Sequence, residues 1–169
     1  MSRVLTEQEF IGKNKIGIYH TTKPIQGYKT IQCLLIENDY KKYITALVEL
    51  EIPTNSKIIR ATSYDEFGDP VSAANTEVRT NQAYVKNIIP SQNYIECHSL
   101  YDKDFKYHVN TMIYPKDNYF NKNESTQEGA GIHFFVDRPD AERYKESYTR
   151  TLPKPVYIGE PFYEVPDYN

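Results

Sequence analysis

Tyrosine is the residue this chain has to fold around. Sixteen of its aromatic residues are Tyr, seven are Phe and none is Trp. Leu, Ile, Val and Phe together supply only 39 of 169 residues. That share stands just above the level of roughly 20 % below which chains tend to stay disordered. A core here must enlist tyrosine rings, and each buried ring brings a hydroxyl that needs water or a hydrogen-bond partner. Tyr28, Tyr43, Tyr94 and Tyr107 fall at the ends of candidate strands. The excess therefore reads as seam and surface material around a modest Ile/Val/Phe core.

The length suits one domain. Twenty basic against 23 acidic side chains leave a formal charge of −3, which argues against nucleic-acid binding driven by bulk charge. No apolar run approaches the ~20 residues of a membrane span. The first residues, MSRVLTEQEF, lack the apolar stretch of a secretory leader. Cys33 and Cys97 are too few for a disulfide framework, although a single bridge stays open. A reduced, intracellular setting is the expectation.

Thr6-Glu7-Gln8-Glu9 has the S/T-x-x-E form of a capping box, which predicts a helical turn at about 6–11. Strand patterns follow at 16–20, 28–36, 43–52 and 57–62, with Pro53 closing the third. Residues 64–76 read as a loop around Gly68-Asp69-Pro70. The stretch 77–89 fits neither period cleanly, and a strand at 83–89 ending at Pro90 suits it better. Further strands are expected at 94–98, 106–114 and 131–136, with a long polar connection at 115–128. Asp137, followed by Pro139, Asp140 and Glu142, predicts a capped helix at 138–149. Together these features predict an α+β fold of mostly antiparallel sheet with two short helices, occupying residues 1–151. An extended Pro/Tyr-rich tail, residues 152–169, follows.

Several of these segments occur in a known order. Tyr28-Lys29 opens a strand, Ile52-Pro53 ends one, and Tyr101-Asp102 precedes Phe105 and Tyr107. Gly131-Ile132-His133-Phe134-Phe135 then leads into Ala141 and Tyr144. Over residues 27–145 this order resembles an uncharacterised domain family of large DNA viruses and phages. The resemblance implies viral origin and a shared fold. Two cysteines of the family pattern are missing here, where Glu128-Gly129-Ala130 and the 78–83 stretch stand instead. A metal or redox pair built on them would be absent from this chain. The implied location is the host cytoplasm or the virion, not the secreted fraction.

A second resemblance concerns chemistry. Ile18-Tyr19-His20-Thr21-Thr22 is similar to the strand that carries a His and a hydroxyl residue in ADP-ribosyltransferases of the His-Tyr-Glu type. Gly131-Ile132-His133-Phe134 is similar to the Gly-Ile-Tyr-Phe of those enzymes. That likeness implies an NAD site in which His20 and Thr22 hold the ribose and the amide, and Tyr144 stacks on nicotinamide. Glu160 or Glu164 would be the late carboxylate that stabilises an oxocarbenium-like state. His133 departs from the pocket Tyr, and more than 100 residues separate it from His20.

Other chemistries find less support. Cys97 and His98 are adjacent, so they point to opposite faces of a strand and cannot share one ion. With His108 and His133 they form no metal-ligand spacing, and no metal site is expected. The same geometry denies Cys97 a His98 base, and Cys33 lies in an apolar strand where thiols are inert. Tyr40-Lys41-Lys42-Tyr43 is flanked by Glu37 and Asp39, so it reads as a solvated turn rather than a base-stacking platform. Protein contact is the broadest fit, because tyrosine buries area at low entropy cost. The leading expectation is a non-enzymatic interaction or structural protein without a cofactor, docking a protein partner or capsid neighbour. Tyr157, Phe162, Tyr163 and Tyr168 of the tail are its candidate contact residues. An ADP-ribosyltransferase-like enzyme using NAD is the alternative.

Overall fold

The computed structural model describes residues 3–11, 15–61, 63–64, 66–71, 76–116, 120 and 130–159. Helix α1 (Glu7–Ile11) starts from the capping box, with the Glu9 amide donating to Thr6 Oγ1 at 3.2 Å. Strand β1 (Gly17–His20) follows. Then come two long strands, β2 (Ile25–Glu37) and β3 (Tyr40–Ile52), paired antiparallel along their whole length. Asn38 and Asp39 join them with φ of 52° and 65°, the left-handed pair that a two-residue hairpin turn requires.

The remaining strands are β4 (Lys57–Arg60), β5 (Ser63–Tyr64), β6 (Pro70–Val71), β7 (Glu77–Thr80), β8 (Ala83–Ile89), β9 (Glu96–Ser99), β10 (Thr111–Ile113), β11 (Ile132–Phe135) and β12 (Val156–Tyr157). Helix α2 (Arg138–Thr149) lies between the last two. Among the described residues ten strands make one sheet in the order β1-β4-β7-β11-β2-β3-β8-β10, with β9 also on β2 and β12 also on β3. The fold is α+β and its ladder pairings are antiparallel. Strands β5 and β6 pair separately, within the segment expected to be a loop.

Side chains alternate across this sheet. One face carries the main core, including Ile31 and Cys33 of β2, Ala46, Val48 and Leu50 of β3, and Val85 of β8. The other face of β2 and β3 receives α2, where Leu47, Phe135 and Ala141 pack with Tyr28 and Tyr144. A bulge explains the unclear period at 77–89. Glu49 opposes Asn87 while Leu50 opposes Val85, so Lys86 is unpaired and the buried positions run Ala83, Val85, Ile88. Strand β7, ahead of it, was not expected as a separate element.

Several expectations need correction. Cys33 and Cys97 face each other across β2 and β9 and form a disulfide, so neither is an isolated thiol. His98 is buried, with Nδ1 2.8 Å from the Ser99 carbonyl. Tyr107 belongs to the core, as does Tyr19, so tyrosine is not confined to seams and surface. Asp137 precedes α2 but makes no side-chain cap bond. The start of the helix is fixed instead through Thr76, whose Oγ1 donates to Asp140 Oδ2 at 2.7 Å and accepts from the Asp137 amide at 2.9 Å. Most of the 115–128 connection and tail residues 160–169 lie outside the described residues.

Arg60 is the least expected member of the core. It is 2 % exposed, and among the described residues none of its three side-chain nitrogens finds a hydrogen-bond partner. Its guanidinium lies 5.3 Å from the centre of the Phe10 ring, which stacks on Tyr19 at 4.9 Å. Burial pulls the Arg60 pKa below the usual arginine value, and the charge of Asp137 opposes that shift. A buried guanidinium with unused donors costs more than an apolar side chain of the same reach. Arg60→Met is therefore expected to raise stability by about 1–3 kcal/mol in urea unfolding. Gly27→Ala should act in the opposite sense, because a Cβ there would overlap the Phe134 ring. A loss of about 1–3 kcal/mol by the same measurement is expected for such overpacking.

Candidate functional site

Strand β2 changes partner along one edge. Tyr28 pairs with Phe135 of β11, and Ile31 through Leu34 pair with β9. Lys29 and Thr30 sit between the two ladders, where β9 and β11 diverge. Their side chains tie the gap together. Lys29 Nζ donates to the His133 carbonyl at 2.7 Å, and Thr30 Oγ1 donates to the Ala141 carbonyl at 2.9 Å.

A cleft of about 600 Å³ opens at this fork, a size in the range of small-molecule sites. Rings line much of it, namely Tyr101, Phe105, Tyr107, Phe134, Phe135 and Tyr144. They form connected edge and stacking contacts. Phe135 lies 5.9 Å from Tyr144, Tyr144 lies 6.4 Å from Tyr148, and Tyr148 lies 6.4 Å from Tyr101. Phe105 and Tyr107 pack at 5.4 Å on the core side. Burial keeps the Tyr107 phenol protonated, well above the usual tyrosine range.

The charged groups of the cleft are mostly paired. Lys116 Nζ lies 3.0 Å from Asp102 Oδ2, and this contact holds the Asp102 carboxyl below the usual carboxylate range. His133 Nδ1 lies 3.5 Å from Glu77 Oε1. Lys29 differs from both. Burial pulls its ammonium pKa down to about 8, with Glu77 acting against the shift.

The residues expected from sequence are distributed unevenly. His133 and Tyr144 line the cleft. His20 does not. It is exposed on β1, opposite Lys57 and three strands from β11. Thr22 is exposed just beyond β1. Glu160, Glu164, Phe162, Tyr163 and Tyr168 lie outside the described residues. Tyr157 reaches the sheet by pairing with Tyr40, yet its side chain stays 55 % exposed. Its backbone pairs with the sheet, and its ring meets Tyr40 while staying largely exposed. Among the described residues no cluster of three or more His, Cys, Asp or Glu could hold a metal. No helix among them is long and apolar enough to cross a membrane.

Lys29 carries the site's distinctive chemistry, and in the sequence it stands out only as half of Tyr28-Lys29. The available signal is a lone lysine between Gly27-Tyr28 and the apolar run from Ile31. The unfolded chain binds the Lys29 proton more tightly than the folded one, so folding gains stability as pH rises from about 8 towards 10.5. Lys29→Met lacks that gain. The stability of wild type relative to Lys29→Met is expected to increase between pH 7 and 10.5 by on the order of 3 kcal/mol, read from urea unfolding at each pH.

Residues 14–141 match a family model described as a family of unknown function, DUF5758. "Uncharacterized protein L223" of Acanthamoeba polyphaga mimivirus is 30 % identical over 154 residues, covering 78 % of this chain and 90 % of the relative. "Uncharacterized protein L812" of the same virus is 29 % identical over 149 residues, covering 79 % and 89 % respectively. No solved structure matches the chain. With three quarters of its length inside the family model and relatives in a large DNA virus, the chain belongs to the DUF5758 family.

Proposed function

We propose that this domain is a non-enzymatic interaction protein of a large DNA virus, engaging a protein neighbour through the turn end of the β2–β3 hairpin. The observation that carries the reading is a set of exposed apolar side chains there, with Ile36 and Val156 on one face of the hairpin end and Tyr40 and Tyr157 on the other. Ile36, Tyr40, Ile95, Val156, Tyr157 and Ile158 are each between 43 % and 59 % exposed. Strand β12 brings three of them to the hairpin, with Val156 opposite Lys41 and Tyr157 opposite Tyr40. The Ile158 amide donates to the Asp39 carbonyl at 2.8 Å, and the Tyr40 and Tyr157 rings meet edge to face at 5.4 Å. Exposed apolar side chains beside charged ones are a common form of a protein contact site. Lys41 stands between Ile36 and Val156 in the register, and Glu37 stands opposite Tyr40. A capsid neighbour would suit such a surface, and a minor virion component is the corresponding role.

The NAD-dependent alternative has His133 and Tyr144 in one cleft in its favour. It lacks His20 there, so it has less geometric support than the interaction reading.

Retention of the protein on immobilised virion proteins tests the leading reading, with wild type compared against an Ile36→Asp, Ile158→Asp double variant. Both positions are exposed, so the variant keeps its fold. Loss of retention by about tenfold or more is expected, the scale of one or two interface anchors. Equal retention of the two proteins would remove the reading.

A further inference from the structure

We infer that the cleft at the fork of β9 and β11 is a binding site for a small planar molecule bearing one anionic group, with Lys29 as the anchor of the anion. This inference stands apart from the interaction surface, which lies at the turn end of the hairpin.

The anion follows from the charge arrangement. The Lys29 ammonium has three N–H donors. One goes to the His133 carbonyl, and among the described residues no other acceptor lies within hydrogen-bond reach. Among the described residues no carboxylate lies within ion-pair distance of it, while Asp102 is held by Lys116 and Glu77 is engaged by His133. A partly buried cation with spare donors at the floor of a cleft favours an anion or other acceptor that meets it. A carboxylate or phosphate monoester supplies acceptors and charge together, and a bond to a charged donor is roughly twice as strong as a neutral one.

The planar group follows from the walls. Tyr101 and Phe105 lie between β9 and β10, and Tyr144 lies on α2, so ring faces come from separate parts of the fold. Tyr101 is 78 % exposed at the mouth although it is a large aromatic. Flat rings stack on such surfaces at about 1–3 kcal/mol each. The volume of about 600 Å³ admits a molecule the size of a mononucleotide or a fused-ring acid.

The test uses the whole chain and four probes: adenosine 5′-monophosphate, adenosine, 2-naphthoate and inorganic phosphate. Binding is followed by calorimetry and by NMR shifts of cleft residues. Either ring-bearing anion is expected to bind with Kd of about 1 mM or tighter. The monophosphate arm identifies a phosphate-bearing ligand and the naphthoate arm a carboxylate. Adenosine and inorganic phosphate should each bind at least about tenfold more weakly. Lys29→Met should weaken the bound anion by about tenfold or more, as expected for loss of a charged hydrogen bond. Tyr101→Ala, which changes only an exposed ring and so keeps the fold, should weaken it several-fold. The inference is overturned if neither ring-bearing anion shifts cleft resonances at millimolar concentration. It is also overturned if folded Lys29→Met binds as well as wild type.

Discussion

The turn at Asn38-Asp39 sets the register of the pairing that the rest of the molecule depends on. With both residues at positive φ, Glu37 is placed opposite Tyr40, and every later pair down to Ile25 and Ile52 is fixed. Strands β9 and β11 dock on the outer edge of β2, and β8 and β12 dock on the outer edge of β3. A slip of one residue would exchange the two faces. Ile31, Ala46 and Val48 would leave the main core, and Thr30 would lose its bond to α2. Fork, cleft and hairpin end are all consequences of this single alignment.

The shortage of aliphatic side chains is met in an unusual way. Arg60 lies against Phe10, and Arg79 and Lys57 lie 5.4 and 6.0 Å from the centre of the Phe120 ring. Long basic side chains contribute apolar stems as well as charge, and a ring face offsets part of the cost of burying the charged head. Arg79 also donates to the carbonyls of Phe120 and Ala130, which anchors the chain just before β11. Gly131 follows with φ of 134°, and a Cβ there would lie 2.8 Å from the Phe120 ring. Aromatic residues and arginines thus do together what leucine and valine do in a more ordinary domain.

What was legible in the sequence was local. Alternation in β3, the capping box before α1, the proline at the start of α2 and the extent of α2 are written within a few residues of one another. The strand at 83–89 was legible in extent but not in period, because the bulge at Lys86 depends on the partner strand. The Cys33–Cys97 bridge was not legible, since it joins strands 64 residues apart. The site was legible only in fragments. His133 and Tyr144 fall on neighbouring elements and line one cleft, while His20 looked equivalent in sequence and lies three strands away. Lys29 gave almost no signal. Its character comes from lying where one strand changes neighbours, and that is a property of topology.

That change of neighbours leaves the two banks of the cleft unequally fastened. On one side β9 is held to β2 by four residue pairs and a covalent bridge. On the other, β11 meets β2 at the single pair Phe135 and Tyr28, aided by the reach of Lys29 to a carbonyl. The β11 bank is thus the less fastened of the two, while α2 is tied to β2 through Thr30 Oγ1 and the Ala141 carbonyl. The contacts that set the gap on the less fastened side are those joining β11 to β2.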